Sequence, residues 1–194
     1  MAISYPINHP TVIGIGSIQL IASQSVATSQ SLFTYKQQIV SYGGERWEAS
    51  VQIPATRRDL AEPWVAFLLS LRGQEGTFLL GDPNATQPQG TISSATLTGS
   101  TGDRYGIVTM TGSLLAGDYI QLGTDNDAKL HKVLQDQTGD GTLELFPELR
   151  TDYTDETVIF QDTKGKFRLK NNQQPWDINN SSVYNISFEA VEAL

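Results

Sequence analysis

Residues 47–83 read WEASVQIPATRRDLAEPWVAFLLSLRGQEGTFLLGDP, and the periodicity of this stretch decides the fold. In its first part, with Arg46 in front, Trp47, Ala49, Val51 and Ile53 alternate with Arg46, Glu48, Ser50 and Gln52. Period two is the signature of a strand with one buried face and one face in water or against a partner. The period then changes. Leu60, Trp64, Phe67, Leu68 and Leu71 fall at i, i+4, i+7, i+8 and i+11, one apolar stripe at helical spacing. The spacing predicts a helix near 59–72. Thr56 or Asp59 is the candidate cap, Pro63 is expected in the first turn, and Gly73 suits the left-handed residue past the end. Gly73 and Gly76 let the chain turn back, so that Phe78 to Leu80 re-enter the sheet. Trp47 and Trp64 are therefore expected in the core.

Similar patterns lie on either side. Downstream, VYNISFEAV (183–191) puts Tyr184, Ile186, Phe188 and Ala190 on one face and Asn185, Ser187 and Glu189 on the other. Upstream, FTYKQQIVSY (33–42) puts Phe33, Tyr35 and Ile39 on one side, with Gly43-Gly44 as a hairpin signal before the Trp47 strand. The first residues, MAISYPINHPTVIGIGSIQLIASQSV, are left open; an arm or strand reaching a neighbour is the reading they allow.

Beyond Gly81-Asp82-Pro83 the texture changes. Residues 84 to about 104 are rich in Gly, Ser, Thr, Asn and Gln. Short strand-like runs follow at 105–111, 118–122, 130–135, 142–147 and 156–160, separated by turn clusters at 116–118, 123–127 and 138–141. Such spacing suggests a small barrel or sandwich. The expected fold is mainly β: a β-sandwich or split barrel with one short helix, formed by 1–83 and 165–194, with a small β-barrel or sandwich unit inserted at 84–164.

Composition narrows the function. The 194 residues carry 13 basic and 21 acidic side chains, a net charge of −8, which argues against a surface built to grip nucleic acid. With no cysteine, disulfides and thiolate metal sites are excluded. No run of eighteen apolar residues marks a membrane-spanning helix, and the first residues lack the basic start and apolar core of a secretory signal. Assembly in a cytoplasm is the expectation.

No constellation for chemistry emerges. His9 and His131 are the two histidines, and neither has a ligand-spaced partner. Asp136-Gln-Thr-Gly-Asp140-Gly141 superficially resembles a calcium loop. Position twelve counted from Asp136 is Pro147, though, and the flanks are strands, so a hairpin turn is favoured. Thr124-Asp125-Asn126-Asp127 is acidic but short. Gly14-Ile15-Gly16-Ser17 lacks the third glycine of a dinucleotide loop, and no phosphate-loop or nucleophile-elbow motif exists. No catalytic, cofactor-binding or metal-binding residue is assigned. Arg57 and Arg58 are candidates for an ion pair with a neighbouring subunit. Trp176, in Gln174-Pro175-Trp176-Asp177, is a candidate interface residue.

The order of these features resembles the distal tail and minor tail proteins of long-tailed bacteriophages. The resemblance rests on Trp47, Ala49, Val51 and Pro54 in the strand and on Trp64, Phe67, Leu68 and Leu71 in the helix. Gly73, Gly76, Phe78, Leu79, Asp82 and Pro83 follow. It continues through Ala116-Gly117-Asp118 with Ile120, Leu130 and Val133, then Phe146 to Arg150, Gly165 to Leu169 and Tyr184 to Val191, and so covers most of 33–194. It implies a non-enzymatic virion component made in the bacterial host: a homo-hexameric ring at the tail tip. Such a ring joins the tail tube protein to the tip and hub proteins and continues the DNA channel, without cofactor, membrane contact or specific nucleic-acid binding. An acidic lumen wall is expected, since it repels phosphate. The alternative reading is a carbohydrate-binding β-module for receptor recognition, with Trp176 and Tyr153 as its exposed aromatics.

Overall fold

The computed structural model describes residues 3–178 and 183–194. The protein is mainly β, with one α-helix. The chain opens with β1 (Ile7–Asn8), β2 (Ser17–Gln30) and β3 (Gln37–Arg57), followed by α1 (Arg58–Ser70) and β4 (Thr77–Leu80). Eight strands follow: β5 (Ser94–Gly99), β6 (Tyr105–Thr111), β7 (Ser113–Leu114), β8 (Tyr119–Leu122), β9 (Lys129–Val133), β10 (Gln137–Thr138), β11 (Gly141–Phe146) and β12 (Tyr153–Thr157). It closes with β13 (Gly165–Leu169), β14 (Trp176–Ile178) and β15 (Val183–Glu192).

One seven-stranded sheet runs β1-β4-β13-β15-β3-β2, with β14 also on β15. All its strands come from the two ends of the chain. A six-stranded sheet, β12-β5-β6-β11-β9-β8, is built wholly from the middle. It curls until Gln121 and Ile159 exchange backbone hydrogen bonds of 2.8 and 3.0 Å, joining its β8 end to the residues just past β12. That contact leaves little open edge on this sheet.

The helix lies on the large sheet through aromatic contacts. Trp64 meets Phe67 edge-on at 5.7 Å, Phe67 meets Phe78 at 5.5 Å, and Phe78 meets Phe188 at 6.0 Å. Trp47, Val51, Trp64, Phe67, Leu68, Leu71 and Phe78 are all buried. Each contributes about 1.5–3 kcal/mol by leaving water. Gly76 is needed for close approach: a Cβ there would stand 2.8 Å from the Leu71 carbonyl oxygen, the group its own N–H bonds. Asp82 shapes the next turn by accepting the Asn84 N–H at 2.9 Å, and Pro83 is exposed beside it.

Several expectations are corrected. Gly43-Gly44 is no hairpin turn. β3 runs through it, and the register with β2 shifts between Gln24 and Val26, with Gly43 at φ +73°. The glycines form a bulge, and the turn lies at Ser31–Lys36. Phe33 and Tyr35 therefore sit at its exposed tip, and Ile39 faces solvent. Neither Thr56 nor Asp59 caps the helix; the N-cap is Arg57, with no side-chain bond. Pro63 is the sixth helical residue, beyond the first turn. Its missing N–H would have met the Asp59 carbonyl, so the loss stays near the helix start. Arg72 (φ +51°) as well as Gly73 (φ +67°) is left-handed past the helix. The polar segment 84–104 contains β5, which lies between β12 and β6. The last middle strand is 153–157 rather than 156–160.

Candidate functional site: a free edge, a ribbon and the clamp at its root

Strand β2 pairs with β3 and with no other described strand. Its 14 residues, SIQLIASQSVATSQ, contain no charge and no proline. Sheet edges that stay solvated are usually blunted by lysine, proline or shortness. Here the single protective feature is the bulge.

Past the bulge the pair leaves the body of the protein. β15 accompanies β3 only as far as Glu48. From Val26 to Gln30 and Gln37 to Ser41 the two strands pair with each other and with no other described strand, and every residue is exposed. At about 3.4 Å per residue this ribbon extends roughly 20 Å from Ser25 to its tip. Its tip is well built. The Ser31 hydroxyl accepts the Phe33 and Thr34 N–H groups, the Ser31 carbonyl accepts the Tyr35 N–H at 2.9 Å, and the Ser31 N–H bonds the Lys36 carbonyl at 3.0 Å. This loop displays Leu32, Phe33 and Tyr35 at 85%, 95% and 74% exposure. Lys36 is the one charged residue between Ser17 and Gly44. A two-stranded ribbon is marginal in water by itself, so this one is suited to a partner.

A charged clamp holds the ribbon's root. Where β3 parts from β15, the Trp47 N–H donates to the Glu192 carboxylate at 3.0 Å in place of a ladder carbonyl. Arg150 grips Glu192 through two hydrogen bonds, at 3.2 and 2.9 Å, and also donates to the Glu45 carbonyl. The Glu45 carboxylate takes Arg104 at 2.9 Å and the Glu148 N–H at 3.1 Å. Glu45 and Glu192 are 5% and 6% exposed, so each depends on these donors. Arg104, Glu148 and Arg150 come from the middle of the chain, and Glu45 and Glu192 from the large sheet. Trp47 seals the same seam, packing edge-on to Phe146 at 5.0 Å and donating its indole N–H to the Leu130 carbonyl at 2.9 Å.

The solvent face of the large sheet carries linked charges. Glu48 binds Arg46 at 2.8 Å and Lys170 at 3.1 Å, and Lys170 also approaches Glu189 at 3.6 Å. The hydrogen bond from Arg46, then that from Lys170, holds the Glu48 carboxyl below its ordinary range; the Glu48 hydrogen bond raises the Lys170 ammonium.

The residues weighed for chemistry lie apart. His9 stacks on Trp64 at 5.6 Å, with its Nδ1 3.1 Å from the Pro10 carbonyl. His131 is wholly buried, with Nδ1 2.8 Å from the Pro147 carbonyl. Burial pushes its pKa down to about 4. The unfolded chain therefore binds a proton that the native state refuses, and stability falls as pH drops from 6.5 towards 4. We expect His131 to cost about 2–3 kcal/mol on going from pH 7 to 4.5. Urea melts of wild type and His131→Gln at both values check this; equal losses in the two proteins refute it.

Tyr153 is buried, with its phenol pushed up to about 12 by burial, so it is not an exposed sugar platform. Trp176 is half-buried on β14 against the large core. Asp136 and Asp140 accept the Ala116 and Met110 N–H groups at 2.7 and 2.9 Å, so both carboxylates tie their segment to backbone elsewhere in the middle of the chain. Among the described residues no three His, Asp or Glu side chains gather at metal-binding distance. Arg58 pairs with Glu62 of its own helix at 3.1 Å, and Arg57 is exposed beside it. Beside the clamp, a groove of about 720 Å³ is lined by Asp127, Lys129, Arg150, Tyr153 and Glu156. Lys129 donates there to the Ala193 carbonyl at 2.9 Å, and burial, then Lys166, lowers its pKa.

The comparisons with known proteins assign no family: no family model matches the chain, and no curated protein is significantly similar to it. Sequence reading passed over Glu45 and Glu192 as candidates. A signal existed: both continue the buried phase of their strands, Glu45 with Trp47 and Ala49, Glu192 with Phe188 and Ala190. A carboxylate in an apolar phase needs a cationic partner.

Proposed function

We propose that the protein is a structural, non-enzymatic subunit of a bacteriophage tail-tip ring. Six copies would close into a ring that joins tail tube to hub and continues the DNA channel. The observation that carries this reading is the uncharged β2 edge, guarded by a bulge alone and continued by a ribbon that pairs with no other described strand. Such an edge associates strand to strand. Joining copies through two different patches, head to tail, is what generates a rotational ring. The clamp supports the same reading, because it fixes the ribbon's root to both sheets and so favours one repeated angle between copies.

If the polar face of the large sheet lines the channel, the wall is not acidic: Lys166 and Arg168 of β13 share that face with Arg46, Lys170, Glu48 and Glu189. Ser50, Gln52, Asn185 and Ser187 fill the rest of that face on β3 and β15.

The purified protein, alone or with tail-tube and hub partners, should assemble into closed hexamers with a central hole, seen by mass photometry and electron microscopy. Monomers under every condition would refute the ring.

A further inference from the structure

We infer that the ribbon tip of one copy docks into a neutral groove on the middle sheet of the next. The proposal deepens the ring reading and rests on it. The groove encloses about 710 Å³ beside β5, β6 and the residues after β12. Half-buried Phe160 gives it an apolar wall, with Met110 and Val158 buried behind it; Thr96 and Thr109 add hydroxyls, and Asp140 is its one charged residue. The tip matches it in kind: Leu32, Phe33 and Tyr35 are apolar or amphipathic, and Lys36 is the one charge.

Charge selects this pairing. A chain at −8 repels its copies over most of its surface. Two patches that are neutral apart from one cation and one anion escape that repulsion, and the Lys36–Asp140 pair fixes their orientation. Asp140 spends one carboxylate oxygen on the Met110 N–H, at 2.9 Å, and has a second for a partner. The tip's own hydrogen bonds hold Leu32, Phe33 and Tyr35 outward before contact, which lowers the ordering cost of docking. Tip and groove are different patches, so the contact is heterologous and compatible with a closed ring.

The natural chain has no cysteine, so site-directed cross-linking has no background. Full-length Phe33→Cys and full-length Thr109→Cys are mixed, oxidised and run on a non-reducing gel, with Phe33→Cys plus Glu75→Cys, in the exposed turn after α1, as control. The expected result is a heterodimeric disulfide with Thr109→Cys and little with Glu75→Cys. Adding Lys36→Glu to the first chain should lower the yield about tenfold. Asp140→Asn in the second chain, which keeps an acceptor for the Met110 N–H, should restore part of it. Mass photometry on the same samples separates the two ideas: rings without the Phe33–Thr109 product overturn the docking and leave the ring standing, whereas monomers with no cross-link overturn both. A fluorophore on Phe33→Cys that blue-shifts with anionic lipid vesicles, with no cross-link, would assign the tip to a membrane and also overturn the docking.

Discussion

Replacing Arg150 with alanine should destabilise the protein by about 3–5 kcal/mol, the cost typical of leaving a buried charge without its partner. Glu192 would lose both its guanidinium bonds, and the Glu45 carbonyl would lose its donor. Native domains are stable by only about 5–15 kcal/mol, so the variant should sit near the edge of folding. Guanidinium melts measure the loss. A second change, Glu192→Gln, should recover part of it by removing the orphaned charge while keeping an acceptor for the Trp47 N–H. If Arg150→Ala costs less than about 1 kcal/mol, the range of exposed pairs, the clamp is not buried in solution. Hydrogen exchange adds a local reading: in a stabilised Arg150→Ala background the amides of β3 from Glu45 to Trp47 should exchange faster, while those of α1 should not.

Truncating Trp64 to alanine should cost about 3–5 kcal/mol, as large buried aromatics generally do. The side chain is fully buried, touches Phe67 and Phe188, and donates its indole N–H to the Ile13 carbonyl at 3.2 Å. It also carries the His9 ring, and so ties the N-terminal segment onto the helix. Trp64→Phe should keep most of the burial and lose the indole bond, a net effect of about 1 kcal/mol on that bond's account. In Trp64→Phe the protection of the 9–15 segment should fall first. A Trp64→Ala protein with unchanged melting would show that helix and sheet are not held by this residue.

These two sites differ in how readily the sequence reveals them. Trp64 was legible because helical spacing concentrates apolar residues on one stripe, and only burial satisfies such a stripe. The same holds for Trp47 to Ile53 and for Tyr184 to Ala190, where alternation names the buried face without any knowledge of the partner strand. Arg150 was not legible as a clamp. Its partners lie 42 and 105 residues away, and nothing local distinguishes an arginine in a surface loop from one pinned between a buried carboxylate and a distant backbone carbonyl. The ribbon misled for a related reason. A turn is usually announced by glycine, asparagine or proline, and here Gly43-Gly44 supplies that signal at a bulge. The true turn carries Leu32, Phe33, Thr34 and Tyr35, held by the Ser31 side chain. β5 was hidden because its core-facing residues, Ala95 and Leu97, are few among serines and threonines.

By itself, then, the sequence determined the class of the fold, the helix and its packing stripe, the buried faces of the two strands that flank it, and the return of the chain end to the first sheet. These follow from short-range periodicity, which a single strand or turn of helix already expresses. The tertiary structure decided the rest: that β2 is an open edge, that β3 outruns its neighbour into a free ribbon, and that Arg104 and Arg150 hold Glu45 and Glu192 at its root. Those features depend on which distant segments meet, and on where a partner strand stops. Pairing of that kind is settled by the packing of the whole chain rather than by any local run of residues.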